Sequence, residues 1–111
     1  MKTVRREELV GDESEAHFQE RIQRRARLLG WDDFHVHDAI GMRKGWPDLA
    51  LLRDEVLLLA ELKSEHGRER PEQRVFREKA ARIRVVECYL WRPRDEQAIW
   101  RILERRSAGV V

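Results

Sequence analysis

Apolar residues recur along this chain at two different periods. Between Ser14 and Leu29, the residues Phe18, Ile22, Ala26 and Leu29 fall three or four apart, the spacing of a helix with one buried stripe. Asp12 or Ser14 is placed to cap that helix, and Gly30 to stop it. Phe34-His35-Val36-His37 then alternates as a half-buried strand does, and Gly41 to Gly45 reads as a flexible basic connection. Leu49 to Leu52 and Val56 to Leu62 are apolar at nearly every position, which predicts two strands with both faces covered, joined through Arg53-Asp54-Glu55. Pro71 suits the first turn of a second helix, with Val75, Phe76, Ala80 and Ile83 on its inward side. Val85 to Trp91 is a fourth strand, ended by Arg92-Pro93, and Asp95 starts a last short helix with Ile99, Ile102 and Leu103 inward. The expected order is αβββαβα, an α/β sandwich in which residues 13–103 form one domain and 1–12 and 104–111 are flexible polar ends.

Length and composition narrow the classes. A chain of 111 residues builds a single core, not separate substrate and cofactor domains. Its longest apolar run, Val56 to Ala60, is far short of a bilayer span, and residues 1–12 lack the apolar stretch of a secretory signal. A soluble, cytoplasmic protein without membrane partners is expected. The single cysteine, Cys88, forms neither an internal disulfide nor a cysteine-based zinc site and reads as a small core residue. Basic residues number 23 against 21 acidic ones, yet 19 of the 23 are Arg. The guanidinium fork suits phosphate oxygens. A net charge of +2 therefore fits either a plain solvated surface or a phosphate-binding surface balanced by acids elsewhere.

The candidate chemistry lies on the central hairpin. A two-residue turn at Asp54-Glu55 pairs Arg53 with Val56 and places Asp48 directly opposite Glu61. Opposed residues share a face, and Lys63, two positions beyond Glu61, shares it too. A three-residue turn would shift this register, and Asp-Glu is not a favoured hairpin turn. Two adjacent carboxylates repel one another unless a cation sits between them. A hard divalent ion resolves the conflict, and Lys63 is then placed to orient or deprotonate a water, or to stabilise charge on phosphate. The bland alternative is a strand-end salt bridge between Glu61 and Lys63.

Pro47-Asp48, twelve residues, then Glu61-Leu62-Lys63 resembles the signature of the PD-(D/E)XK nucleases. More narrowly, the chain resembles the stand-alone VRR-NUC domains of phages and bacteria. Ser14-Glu15 with Phe18-Gln19, Gly30-Trp31 and Pro71-Glu72-Gln73 are similar to that family's flanking motifs, so the likeness runs from about residue 14 to residue 103. It implies a restriction-endonuclease-like αβββαβ core, a mixed sheet flanked by helices, and a metal-dependent phosphodiesterase acting on DNA with Mg²⁺ or Mn²⁺. Asp48, Glu61 and the Leu62 carbonyl would hold the metal, Lys63 would be the catalytic lysine, and Gln73 would support the water or the substrate phosphate. The family's first-helix acid, a further metal ligand, would be Glu15 or Glu20. Helical geometry favours Glu15, on the stripe of Phe18 and Ile22, and leaves Glu20 to pair with Arg24. Stand-alone relatives resemble Holliday-junction resolvases, so four-way junction DNA and a two-fold homodimer are expected, in a bacterial or phage-infected cell. The alternatives are a flap, nicking or restriction-like endonuclease, and a DNA-binding module without catalysis.

Loops flanking this centre carry Arg43, Lys44, Arg68 and Arg70, the expected phosphate contacts. The arginines of the first helix, Arg21, Arg24, Arg25 and Arg27, read as a solvated face. His35 and His37 share a strand face without a third ligand, and His66 reads as a polar loop residue. Trp46 is placed either to pack against a DNA sugar or to cap the core.

Overall fold

Ser14 sets the first boundary: its side-chain oxygen accepts the His17 N–H at 3.0 Å and caps helix α1, Glu15–Leu28. Gly30, at φ +89°, ends it. The computed structural model describes residues 13–37 and 41–105; the ends expected to be flexible fall, for 1–12 and 106–111, outside those residues. Four strands follow, β1 (Asp32–His35), β2 (Leu49–Arg53), β3 (Val56–Leu62) and β4 (Val86–Trp91), with helix α2 (Pro71–Ala80) between β3 and β4. A 3₁₀ turn, Pro93–Asp95, leads into helix α3, Glu96–Glu104.

The sheet order is β1-β2-β3-β4, antiparallel through the first three strands and parallel between β3 and β4. That parallel pair requires a crossover, which α2 supplies. The mixed α/β architecture is thus the expected one. No described helix is long and apolar enough to cross a membrane.

One face of the sheet carries the core. Leu49, Leu51, Leu58, Ala60, Leu62 and Trp91 pack against Phe18, Ile22 and Ala26 of α1 and Ile99 and Leu103 of α3, nearly all fully buried. Arg53, in the hairpin corner, ties these layers together. Its guanidinium donates to the carbonyls of Leu29 (3.1 Å), Leu103 (2.9 Å) and Arg105, and lies over the Trp31 ring. The Trp31 indole N–H also donates to Leu103 O, at 3.0 Å. One side chain thereby satisfies carbonyls left open at the ends of two helices.

Three expectations need correction. The first strand spans Asp32–His35 rather than 34–37, because its partners are Leu52 to Leu49 and the ladder closes with Val36 N–H to Asp48 O at 2.9 Å. The hairpin is not covered on both faces: Leu52 is 40% exposed, and beside it Phe34 of β1 is 55% exposed. A ten-residue α2 runs only about 15 Å, too short to cover a four-stranded sheet. The inward stripe of α2 is Gln73, Phe76, Arg77 and Ala80; Val75 is half exposed and Ile83, beyond the helix end, likewise. Two polar residues occupy positions that a purely hydrophobic reading assigned elsewhere.

Replacing Arg53 with Met keeps the stem and removes the donors. We expect a loss of about 2–4 kcal/mol in chemical denaturation; a loss below about 0.5 kcal/mol would show that the guanidinium does not tie the layers.

Candidate active site

The two-residue turn is realised, with Arg53 opposite Val56 and Asp54 at φ +55°, a left-handed conformation that Asp tolerates. The ladder therefore ends on Leu49 opposite Ala60, and continuing its register by one residue sets Asp48 opposite Glu61. Asp48 Oδ2 accepts the Leu62 N–H at 2.8 Å, which locks one carboxylate oxygen to the neighbouring strand. The Lys63 N–H donates to Trp91 O at 3.0 Å, and Lys63 Nζ lies 3.6 Å from Glu61 Oε2. Glu61 is 3% exposed.

Neither oxygen of Glu61 has a hydrogen-bond partner among the described residues. Its carboxyl is pushed up to about 8, first by burial, then by the charge of Asp48 and by Asp48 as acceptor for the proton; Lys63 offsets this only in part. Glu15 joins the same field. Its carboxyl is raised by burial and by Asp48, and held back by Lys63 and Arg70. Lys63 lies at ion-pair distance from the buried Glu61 carboxylate but makes no hydrogen bond to it, so both oxygens remain open to a further partner, and the donor set suits a hard cation. No three His, Cys, Asp or Glu side chains among the described residues close into a ready cage.

Gln73 is buried at the back of this cluster. Its Oε1 accepts the Arg70 N–H at 3.0 Å and so helps open α2, while its amide nitrogen makes no hydrogen bond among the described residues. Gln73 and Glu61 line one small cavity of about 10 Å³, the room that a single water needs. Gly45 lines it as well. At φ +118°, a Cβ there would come within 2.9 Å of Glu72 O, so only glycine lets the strand carrying Asp48 pass this close to α2.

Of the loop cations, Arg70 begins α2 close enough to Glu15 to lower its pKa. Arg43, Lys44 and Arg68 are exposed. The helix arginines behave as expected of a solvated face: Arg21 pairs with Glu13 and Glu96, Arg24 with Glu20, Arg25 with Glu104 and Arg27 with Asp33. His35 and His37 contact one another, ring centroids 4.0 Å apart, and His66 is exposed. Cys88 is only half-buried and lines the small cavity on the α2 side.

Arg92 is a residue that pattern reading passed over. Its Nη1 donates to the carbonyls of Ser64 and Gly67, both at 2.7 Å, and of Glu65 at 3.3 Å. The loop immediately after Lys63 is thus wrapped around one guanidinium. An Arg at the end of a strand next to Pro offered no periodic signal for this role.

A solved structure described as a VRR_NUC domain matches this architecture, with a TM-score of 0.65 and 24% sequence identity, over 83% of this chain and 97% of that one. This chain has the fold of a VRR-NUC domain. No family model and no curated protein matches its sequence. Within the VRR-NUC fold, the carboxylates and Lys63 lie at the open end of the central hairpin, and α2 presents Gln73 from behind.

The raised pKa of Glu61 has a consequence for stability. Between pH 4.5 and about 8 the folded protein holds a proton that the unfolded chain has released, so stability without metal falls as pH rises through that window, by at most about 1.4 kcal/mol per unit. Glu61→Gln should flatten this slope and raise metal-free stability at pH 8, while removing the stabilisation that added Mg²⁺ gives the parent; melting curves at pH 5 and 8 decide it. Arg92→Ala should speed hydrogen exchange at 64–68 well beyond the change at β3; uniform acceleration would instead mean a global effect.

Proposed function

We propose that this protein is a metal-dependent, structure-selective DNA endonuclease that hydrolyses phosphodiester bonds. The observation that carries the reading is the buried Glu61 carboxylate, without a donor, facing Asp48 across the hairpin with Lys63 Nζ 3.6 Å away. A structural salt bridge accounts for this poorly, because it leaves both Glu61 oxygens unsatisfied. Asp48, Glu61, the Leu62 carbonyl and Glu15 would hold Mg²⁺ or Mn²⁺. The bound cation would supply charge stabilisation at the phosphate and at the attacking oxygen. Lys63 orients the attacking water and stabilises the developing negative charge, while Gln73 supports that water or the phosphate from the α2 side. Arg43, Lys44, Arg68 and Arg70 grip the backbone on either side of the scissile bond.

A VRR-NUC fold in a chain with one such centre supports a finer reading. Cutting two strands of a branched substrate needs two centres, hence a homodimer with an isologous interface acting on four-way junctions. A labelled four-way junction, flap, linear duplex and single strand, each with Mg²⁺ and with EDTA, test both levels. Symmetric metal-dependent cuts confined to the junction support the resolvase reading; equal cutting of plain duplex removes it and keeps the nuclease. Lys63→Ala should lower the rate on the preferred substrate at least about 100-fold with binding retained. Full activity of that variant would remove the proposed centre.

A further inference from the structure

Most cationic side chains in this protein are committed. Arg21, Arg24, Arg25, Arg27, Arg74, Arg77, Arg94 and Arg105 pair with carboxylates, and Arg53 and Arg92 with backbone carbonyls. Arg68, Arg82, Arg84 and Arg101 make no side-chain hydrogen bond or ion pair among the described residues, and neither do Arg43, Lys44 and Lys79. The last three line one groove of about 640 Å³ between the 43–46 loop and α2, on which Glu72 is the acidic residue.

The walls of that groove are apolar and aromatic. Trp46 is 45% exposed and meets Phe76 at 5.1 Å between ring centroids, tilted by 43°. Val75 and Ile83, each about half exposed, extend the same wall. A large indole held open to solvent and flanked by three uncommitted cations is complementary to a flat aromatic ring carried on a polyanion. Stacking on such a platform reads no sequence, because every base has a π-face. A base still paired within duplex DNA has no free face to offer.

The groove adjoins the candidate active site. Trp46 is two residues from Asp48, and Phe76 is shared between the groove and the cavity behind Glu61.

We propose that this groove binds an unpaired stretch of DNA, with a base stacked on Trp46 and its phosphates on Arg43, Lys44 and Lys79, so that a branched substrate is gripped where its strands fray or are unpaired at the branch. This deepens the nuclease reading and rests on it for the word substrate, but binding can be measured without cleavage. Trp31 and Trp91 are buried and Trp100 lies under Arg25, so quenching of tryptophan emission by an added oligonucleotide reports mainly on Trp46.

The test titrates the full chain with a short oligo(dT) and with a blunt duplex of equal length, both in EDTA. Oligo(dT) should quench the emission and bind the more tightly. Read by the anisotropy of a labelled oligonucleotide, which does not depend on Trp46 emission, Trp46→Ala should weaken oligo(dT) about tenfold or more and change duplex affinity less than twofold, and Trp46→Phe should restore most of the loss. Lys44→Gln and Lys79→Gln should each reduce the salt dependence of oligo(dT) binding by about one unit of slope. Absence of quenching, or equal loss on both ligands, would overturn the proposal. So would a dimer that Trp46→Ala dissociates, which would assign the groove to a second copy of the chain. Metal-dependent cutting without Trp46-dependent binding would remove the groove alone. Oligonucleotide binding with no cutting of any DNA would remove the nuclease alone.

Discussion

The structure turns on the placement of two carboxylates at the end of one hairpin. Asp48 and Glu61 are directly opposed, Glu61 is almost wholly buried, and only one of the four carboxylate oxygens, Asp48 Oδ2, receives a backbone N–H. Such a pair opposes folding by itself, because burial removes water and mutual repulsion adds to the cost. The surrounding fold has to hold it in place. Arg53 clamps the turn of the same hairpin to both core helices, and the Lys63 N–H fastens the other end to β4. The clamped end of the hairpin, at Arg53 and Val56, and the end with the two carboxylates, at Asp48 and Glu61, are five residues apart on each strand.

Helix α2 shows how site and core share one element. Phe76 and Ala80 pack inward in the usual way, but Gln73 and Arg77 occupy the same stripe. Gln73 is buried because its carbonyl oxygen begins the helix and its nitrogen faces the cavity behind Glu61. Displacing polar residues inward leaves apolar Val75 and Ile83 on the outside, where they line the cationic groove instead of the core. One rotation of the helix thus shapes the back of the site and the wall beside it.

The charge pattern follows the same division. A net charge of +2 suggests little attraction for a polyanion. Yet acids neutralise the arginines of α1 one by one, and Glu69 does the same for Arg77. Arg43, Lys44 and Lys79, which line one groove, are not neutralised in this way, so the near-balance of the whole does not describe that groove.

Much of this was legible in the residues themselves. The helical stripe of Phe18, Ile22 and Ala26, the hairpin, and the Asp48–Glu61–Lys63 alignment all follow from local periodicity plus one assumption about a turn, because side-chain direction in a strand alternates without exception. Helical angle favoured Glu15 over Glu20; both are exposed, and Glu15 lies in the field of Asp48 and Lys63. The positions that misled are those whose surroundings come from distant sequence. Phe34 is exposed because α2 is too short to reach it, and Val75 because Gln73 claims the inward face. Arg53 and Arg92 looked like ordinary turn residues, since carbonyls from helix ends and loops 25 to 50 residues away are invisible to a local pattern. Sequence by itself singled out the residues proposed for the chemistry and the face they share. Tertiary structure alone decided that Glu61 is buried without a donor and that Trp46 stays open beside uncommitted cations, because burial and pairing depend on what the rest of the chain leaves uncovered.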